Sequence, residues 1–270
     1  MNETLKRAIS GTVYIVLLLS CILYSKESLA ILFGVFLIIA VYEFCKLANL
    51  NYFVSVPIAL LLYYFLWDKN KIDIWIWTAI SLFSVIMAIK LLLYLYDAKK
   101  TKFKLGTRYV LLLGYVIVPF ILTNYICIGK GNKYNEKILI TIFICIWTND
   151  TFAYLVGKNF GKRKLFPSVS PKKTIEGFVG GMIFTIICSV ILSKYYIETK
   201  NIYIWIIIAI IVSIFSTLGD LIESKLKRVA QIKDSGNIMP GHGGILDRLD
   251  SIIFVVPFIN LFYLILYYVS

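Results

Sequence analysis

The chain has 270 residues, 60% of them hydrophobic, and a formal net charge of +13. Its mean hydropathy of +0.83 and its 16% charged residues exclude an ordinary soluble domain, in which roughly a quarter of residues are charged. A bilayer core about 30 Å thick takes about 20 apolar residues per helix, and backbone groups in lipid must be satisfied within each segment, so the composition predicts an all-α polytopic transmembrane bundle.

In chain order, apolar segments fall at roughly 8–24, 29–45, 53–67, 74–95, 109–128, 138–156, 176–193, 202–219 and 251–269, about nine helices. The third is short and the junction near Asn51 is soft, which leaves eight or ten open. Lys6 and Arg7 followed by an apolar run ending at Cys21 have the outline of a lipoprotein signal, but no A-x-A site is visible and the stretch is read as the first helix. With a cytoplasmic N-terminus, 19 of the 28 basic residues fall in inner segments, eight in outer loops, and Lys90 within a helix. That bias sets the orientation, because Lys- and Arg-rich loops stay on the cytoplasmic side. The loop 97–108 carries lysines without acids and is read as a topology anchor. Residues 1–137 then form transmembrane scaffold helices and residues 138–270 a catalytic region with cytoplasmic loops 157–175 and 221–250, in one continuous membrane domain. Five cysteines, at 21, 45, 127, 145 and 188, show no metal-ligand spacing.

Ionisable residues in a membrane are costly and mark function by default. Glu43 has Lys46 three residues on and reads as an interfacial ion pair. Asp150 sits about two turns from the inner end of its helix and needs a cation from another helix. If the eighth helix continues past its apolar part, Thr217, Asp220 and Glu223 share a face, and Asp247 and Asp250 repeat the same spacing at the start of the last helix. Two acidic faces flanking one loop suit a hard cation such as Mg2+, or equally ion pairs with Arg228, Arg248 and the nearby lysines. Between them, Gly241, Gly243 and Gly244 lead into a helix N-terminus where backbone amides could hold an anion, with His242 donating to a phosphate or capping the loop. Lys233 and Asp234 read as nucleotide contacts or as a local pair. In the other loop Ser170-Pro171 predicts an extended turn, Lys172 and Lys173 supply cations, and Thr174 is placed to cap a helix starting near Glu176. Lysines at a helix N-terminus oppose the macrodipole unless an anion lies between them.

The elements S-x-x-K-R, K-D, P-x-H-G-G and D-R-x-D stand in order from Ser224 to Asp250, and this run resembles the signature of the phosphatidate cytidylyltransferase, or CDP-diacylglycerol synthase, family. The stretches D-x-x-A-Y-x-x-G-x-x-F-G from Asp150 and S-P-K-K-T-x-E-G from Ser170 are similar to it as well. The resemblance implies transfer of a cytidylyl group from CTP to phosphatidate by a membrane enzyme that is commonly dimeric. It also implies Mg2+, with room for a second cation, at Asp220 and Asp247. Phosphate is itself the nucleophile, so no side-chain base is expected. Asp220, Asp247, Asp250, Lys172, Lys173 and Arg228 are the expected catalytic residues. Asp150, Ser170, Thr174, Lys227, Lys233, Asp234, His242, Gly243, Gly244 and Arg248 are the expected substrate contacts. Rival readings are a CTP-dependent polyprenol or phytol kinase, which lacks the full signature, a CDP-alcohol phosphotransferase, whose D-G-x-x-A-R run is missing, and a secondary transporter, against which the polar residues gather at one end of the spans. A bacterial inner membrane with the site facing the cytoplasm is the expected setting.

Overall fold

The computed structural model describes residues 3–68, 72–97, 103–128, 133–199 and 201–269. The chain runs through α1 (Glu3–Tyr24), α2 (Lys26–Ala48), α3 (Tyr52–Leu66), α4 (Ile74–Tyr96), α5 (Leu105–Leu111), α6 (Val118–Ile126), α7 (Glu136–Phe160), α8 (Ile175–Tyr195), α9 (Ile202–Val229) and α10 (Leu246–Val269). A π-helical stretch, Leu112–Ile117, joins α5 to α6, so that nine rods result among the described residues. Eight of them are long and apolar enough to cross a membrane, and the chain is a multi-pass membrane protein. Part of the lysine-rich loop, residues 98 to 102, lies outside the described residues, as do Lys69, Lys71, Lys130 and Lys200.

The nine predicted rods are all present, but several of their ends differ from the apolar windows. α7 continues to Phe160, α9 to Val229, and α10 already begins at Leu246. An apolar window stops at the first charges, whereas an amphipathic helix extends past them wherever its polar face finds partners. The all-α reading holds, with one short non-helical element in addition. A two-stranded antiparallel hairpin, β1 (Lys164–Phe166) and β2 (Ser170–Thr174), pairs Lys164 with Thr174 and Phe166 with Ser170. It lies between α7 and α8, beyond the bilayer-length part of either helix, where strand edges can meet water.

α10 forms the central spine, with Leu249, Phe254, Val255, Val256 and Ile259 fully buried against α9, α4 and α6. Close approach needs small residues at the crossings. A Cβ on Gly219 of α9 would come within 2.6 Å of the Phe254 Cβ on α10, and one on Gly177 of α8 within 2.6 Å of the Ala153 carbonyl on α7. Packing of this kind, without a hydrophobic drive inside lipid, is how membrane helices associate. It brings the polar C-terminal parts of α7 and α9 and the start of α10 together.

Candidate active site

Three carboxyls meet where the C-terminal part of α9 adjoins the start of α10. Asp250 lies against Asp220 and Glu223, the latter one turn further along α9. Asp250 and Glu223 are buried, and Glu223 Oε1 has no hydrogen-bond partner. Lys227, one turn beyond Glu223, donates to Glu223 Oε2 at 2.8 Å and to Asp247 Oδ1 at 2.7 Å. Lys173, carried in by β2, pairs with Asp220 Oδ2. Asp150 of α7 completes this wall of acids and shares with Lys173 and Asp220 the lining of one cavity. The expected i, i+3 spacing thus does align Asp220 with Glu223 and Asp247 with Asp250, and lysines as well as acids are drawn to the place where the two faces converge.

The glycine loop is built differently from its expected form. The Gly244 amide and those of Ile245 and Leu246 at the helix start, expected to face a substrate anion, are taken by the chain's own carboxylates. Asp247 Oδ2 accepts from the Gly244 amide at 2.8 Å and the Ser235 amide at 2.9 Å. Glu43 of α2, one part in a hundred exposed, accepts from the Ile245 amide at 3.2 Å, the Leu246 amide at 2.8 Å and the Ser235 hydroxyl at 3.1 Å. The reading of Glu43 as a partner of Lys46 is therefore corrected. Among the described residues no ion pair joins them, and the Lys46 ammonium instead stands 4.4 Å over the Tyr42 ring. Glu43 caps α10 from another helix, which satisfies amides that a helix start leaves open. Gly241 and Gly243 have φ of +76° and +85°, as the turn into α10 requires, and a Cβ on Gly243 would strike Asp247 Oδ2 at 2.4 Å.

Two cavities adjoin the acidic wall, and Asp150 and Asp220 line both. One, of about 610 Å³, is bordered by Lys158, Lys164, Lys172 and Lys173 together with Tyr154, Leu165 and Phe178. The other, of about 330 Å³, is bordered by His242, Asp247, Arg248 and Asp250, and by Gly11 and Tyr14 of α1. Ser170 starts β2 and so sets the extended approach of Lys172 and Lys173. Thr174 caps α8, its hydroxyl accepting from the Gly177 amide at 3.1 Å, as predicted. Arg228, Lys233 and Asp234 are exposed at and just beyond the C-terminal end of α9 and line neither of these two cavities, and among the described residues no ion pair joins Lys233 to Asp234. Sequence reasoning singled out Glu43 but gave it the wrong partner, and it missed Ser235 and Ser10, whose hydroxyl approaches His242 Nδ1 at 2.8 Å. A serine on the first helix has no local signal for such a contact.

By type, the donors here are the oxygens that a hard divalent cation takes, although Asp220, Glu223 and Asp247 are each engaged by a lysine. Asp220 and Asp250 present carboxylate oxygens to the 330 Å³ cavity, the buried Glu223 Oε1 beside them lacks a partner, and no thiolate stands among them to favour a softer metal. Asp247 offers only the lone pairs left over by Lys227, Ser235 and Gly244. Among the described residues no group of three or more His, Cys, Asp or Glu stands in ready ligating geometry. Water and phosphate oxygens would have to complete the shell, the usual habit of Mg2+.

A family model described as the cytidylyltransferase family matches residues 5–266. A protein of Bacillus subtilis strain 168 named phosphatidate cytidylyltransferase is 34% identical over 263 residues, which cover 96% of this chain and 97% of its own length. Proteins of the same name are 48% identical over 123 residues in Staphylococcus haemolyticus strain JCSC1435, covering 46% of this chain and 47% of that one, and 50% identical over 125 residues in Staphylococcus aureus strain COL, with the same coverage.

Proposed function

The chain belongs to the cytidylyltransferase family, and we infer that it transfers the cytidylyl group of CTP to phosphatidate, leaving CDP-diacylglycerol in the membrane and releasing pyrophosphate. The observation that carries this reading is similarity to a phosphatidate cytidylyltransferase along 96% of the chain. The site supports it. Two anionic substrates need two chambers that meet, and the cavities of about 610 and 330 Å³ share Asp150 and Asp220, the larger bringing lysines and the smaller Arg248 beside the carboxyls that would hold a cation. The larger one, lysine-lined and flanked by the exposed apolar Leu155 and Val179 of α7 and α8, suits a lipid phosphate with its acyl chains in the bilayer. The smaller, with His242 and Arg248, suits the nucleotide.

A phosphate oxygen of phosphatidate attacks the α-phosphorus of CTP, the bond from that phosphorus to the β-phosphate oxygen breaks, and the electron pair leaves with pyrophosphate. The nucleophile is already ionised, so the task of the protein is to bring like charges together in line. Lys172 and Lys173 screen and hold the attacking phosphate. Arg248 and, from the rim, Arg228 offset charge on the triphosphate, while Lys227 and the loop amides fix Asp247 in place. When bound at Asp220 and Asp247, with Asp250 and Glu223 adjoining, Mg2+ supplies the positive charge that phosphoryl transfer requires. A homodimer, a bacterial inner membrane and a site facing the cytoplasm belong to the same proposal, supported by the family resemblance and by the distribution of basic residues.

The test is to supply purified, reconstituted protein with labelled CTP and phosphatidate. Label entering the lipid phase only when both phosphatidate and Mg2+ are present is the expected result. Label transferred to a polyprenol or phytol, or label retained in water, would overturn the reading.

A further inference from the structure

α1 is the least buried of the membrane-length helices among the described residues, with Leu5, Ile9, Val13 and Val16 turned outward. Its other face does something a membrane anchor does not need. Ser10 Oγ lies 2.8 Å from His242 Nδ1, 3.0 Å from the Pro240 carbonyl oxygen and 3.1 Å from the Arg7 carbonyl oxygen. The imidazole rests on Gly11, where a Cβ would meet its Cε1 at 3.3 Å, and the ring borders the 330 Å³ cavity together with Asp220, Arg248 and Asp250.

A serine hydroxyl has one hydrogen and two lone pairs, and a carbonyl oxygen can only accept. If the hydroxyl hydrogen pointed at Nδ1, both carbonyl oxygens would face lone pairs of Oγ. If it points at the Pro240 carbonyl, Nδ1 can donate its own hydrogen to Oγ, and only the Arg7 carbonyl is left facing a lone pair. That carbonyl lies one turn back within α1, where an intrahelical amide is its regular partner. The second arrangement satisfies more of the groups present. We infer that Ser10 is a positioning residue that holds His242 in the tautomer protonated on Nδ1, so that Nε2 is left as a hydrogen-bond acceptor.

Burial, with Arg248 and Arg7 nearby, holds the His242 imidazole below its ordinary pKa, so the neutral ring is the relevant form near neutrality. In this tautomer the ring takes a hydrogen and gives none through Nε2. Resting on the reading of CTP as the substrate, the group it receives is a hydroxyl or amino hydrogen of the nucleoside, and the phosphates are left to Arg248 and the lysines. α1 thereby becomes part of the nucleotide site.

His242 is the only histidine in the chain, so a nitrogen NMR spectrum of protein made with isotope-labelled histidine, with any purification tag removed, reports this one ring. The expected wild-type spectrum, in nanodiscs at neutral pH without nucleotide, shows an N–H nitrogen at Nδ1 and an unprotonated nitrogen at Nε2. Ser10→Ala should shift the population toward Nε2–H, and Ser10→Thr should restore the wild-type pattern. A wild-type ring protonated on Nε2, or a pattern that Ser10→Ala leaves unchanged, overturns the inference. Because the spectra need no CTP, they decide the tautomer independently of whether the chain turns CTP over, and the wild-type result stands even if Ser10→Ala fails to fold.

Discussion

At the scale of single residues, the least expected role is that of Glu43. A carboxylate buried at this depth in a span is tolerated only if its charge is well met, and two amides and a hydroxyl from the segment 235–246 meet it. The same Ser235 also gives its amide to Asp247, so Glu43 holds both ends of the loop that positions an acid of the site. Glu43→Gln keeps the shape but turns an amide NH2 toward groups that are themselves donors. It should lower stability by on the order of 2 kcal/mol, the scale of hydrogen bonds to a charged group, and reduce turnover by about tenfold or more, equivalent to about 1.4 kcal/mol in the barrier. Thermal unfolding and CTP turnover in the same detergent check both, and wild-type values for the two would remove Glu43 from this role. The sequence shows that two acidic faces flank one loop, since Asp247 and Asp250 stand at i, i+3 spacing just after the glycine-rich turn and Asp220 and Glu223 repeat that spacing before it. It could not make plain what Glu43 touches, because the partners lie about 200 residues away and only the tertiary fold unites them. Lys46, three residues on, is a local and misleading neighbour.

At the scale of elements, hydropathy located every rod but not the places where the rods stop or bend. The fifth rod reads as one apolar span, yet Val118 donates its amide to the Leu113 carbonyl, five residues back, and Pro119 next to it has no amide to give, so the helix widens to π geometry there. The pairing of α7 with α8 shows how small residues set the site. A Cβ on Gly177 would lie 2.6 Å from the Ala153 carbonyl, 2.9 Å from the capping Thr174 hydroxyl and 3.1 Å from the Gly157 Cα. Two of these three atoms belong to backbone and cannot swing aside. Gly177→Val should force α8 from α7, displacing Asp150 from Asp220 and breaking the cap that ends β2, at a cost of about 1–3 kcal/mol or more. Gly106→Val serves as the control, because nothing lies within 4 Å of a Cβ there. The expected outcome is a lowered unfolding midpoint and lost activity for the first variant only, and equal midpoints for the two would show that the close helix contact is dispensable.

At the scale of the whole molecule, the question is whether α3 crosses, since Tyr52–Leu66 has only 15 residues and spans about 22 Å at 1.5 Å per residue. Contacts at its two ends decide this. Beyond its C-terminal end Asp68 accepts from Lys26 at 2.6 Å, at the same pole where Tyr134 donates to the Ile22 carbonyl. Its N-terminal end adjoins Lys46 and Asn49, which line a cavity of about 750 Å³ with Phe103, Arg108 and Gln231 at the opposite pole. α3 therefore passes from one pole to the other and counts as a crossing, which puts the two ends of the chain on opposite sides. All the carboxyls and lysines of the site gather at the pole of Arg108 and Gln231. If the positively charged segments stay inside, that pole faces the cytoplasm, where CTP is. Single cysteines in place of Lys162, exposed beside the hairpin, and Lys133, exposed at the other pole, put this to the test with a membrane-impermeant thiol reagent on intact cells and wild-type cells as background. Lys133→Cys should label at once and Lys162→Cys only after the membrane is opened. The reverse pattern would place the nucleotide site on the side that has no CTP, and the proposed reaction could not proceed there.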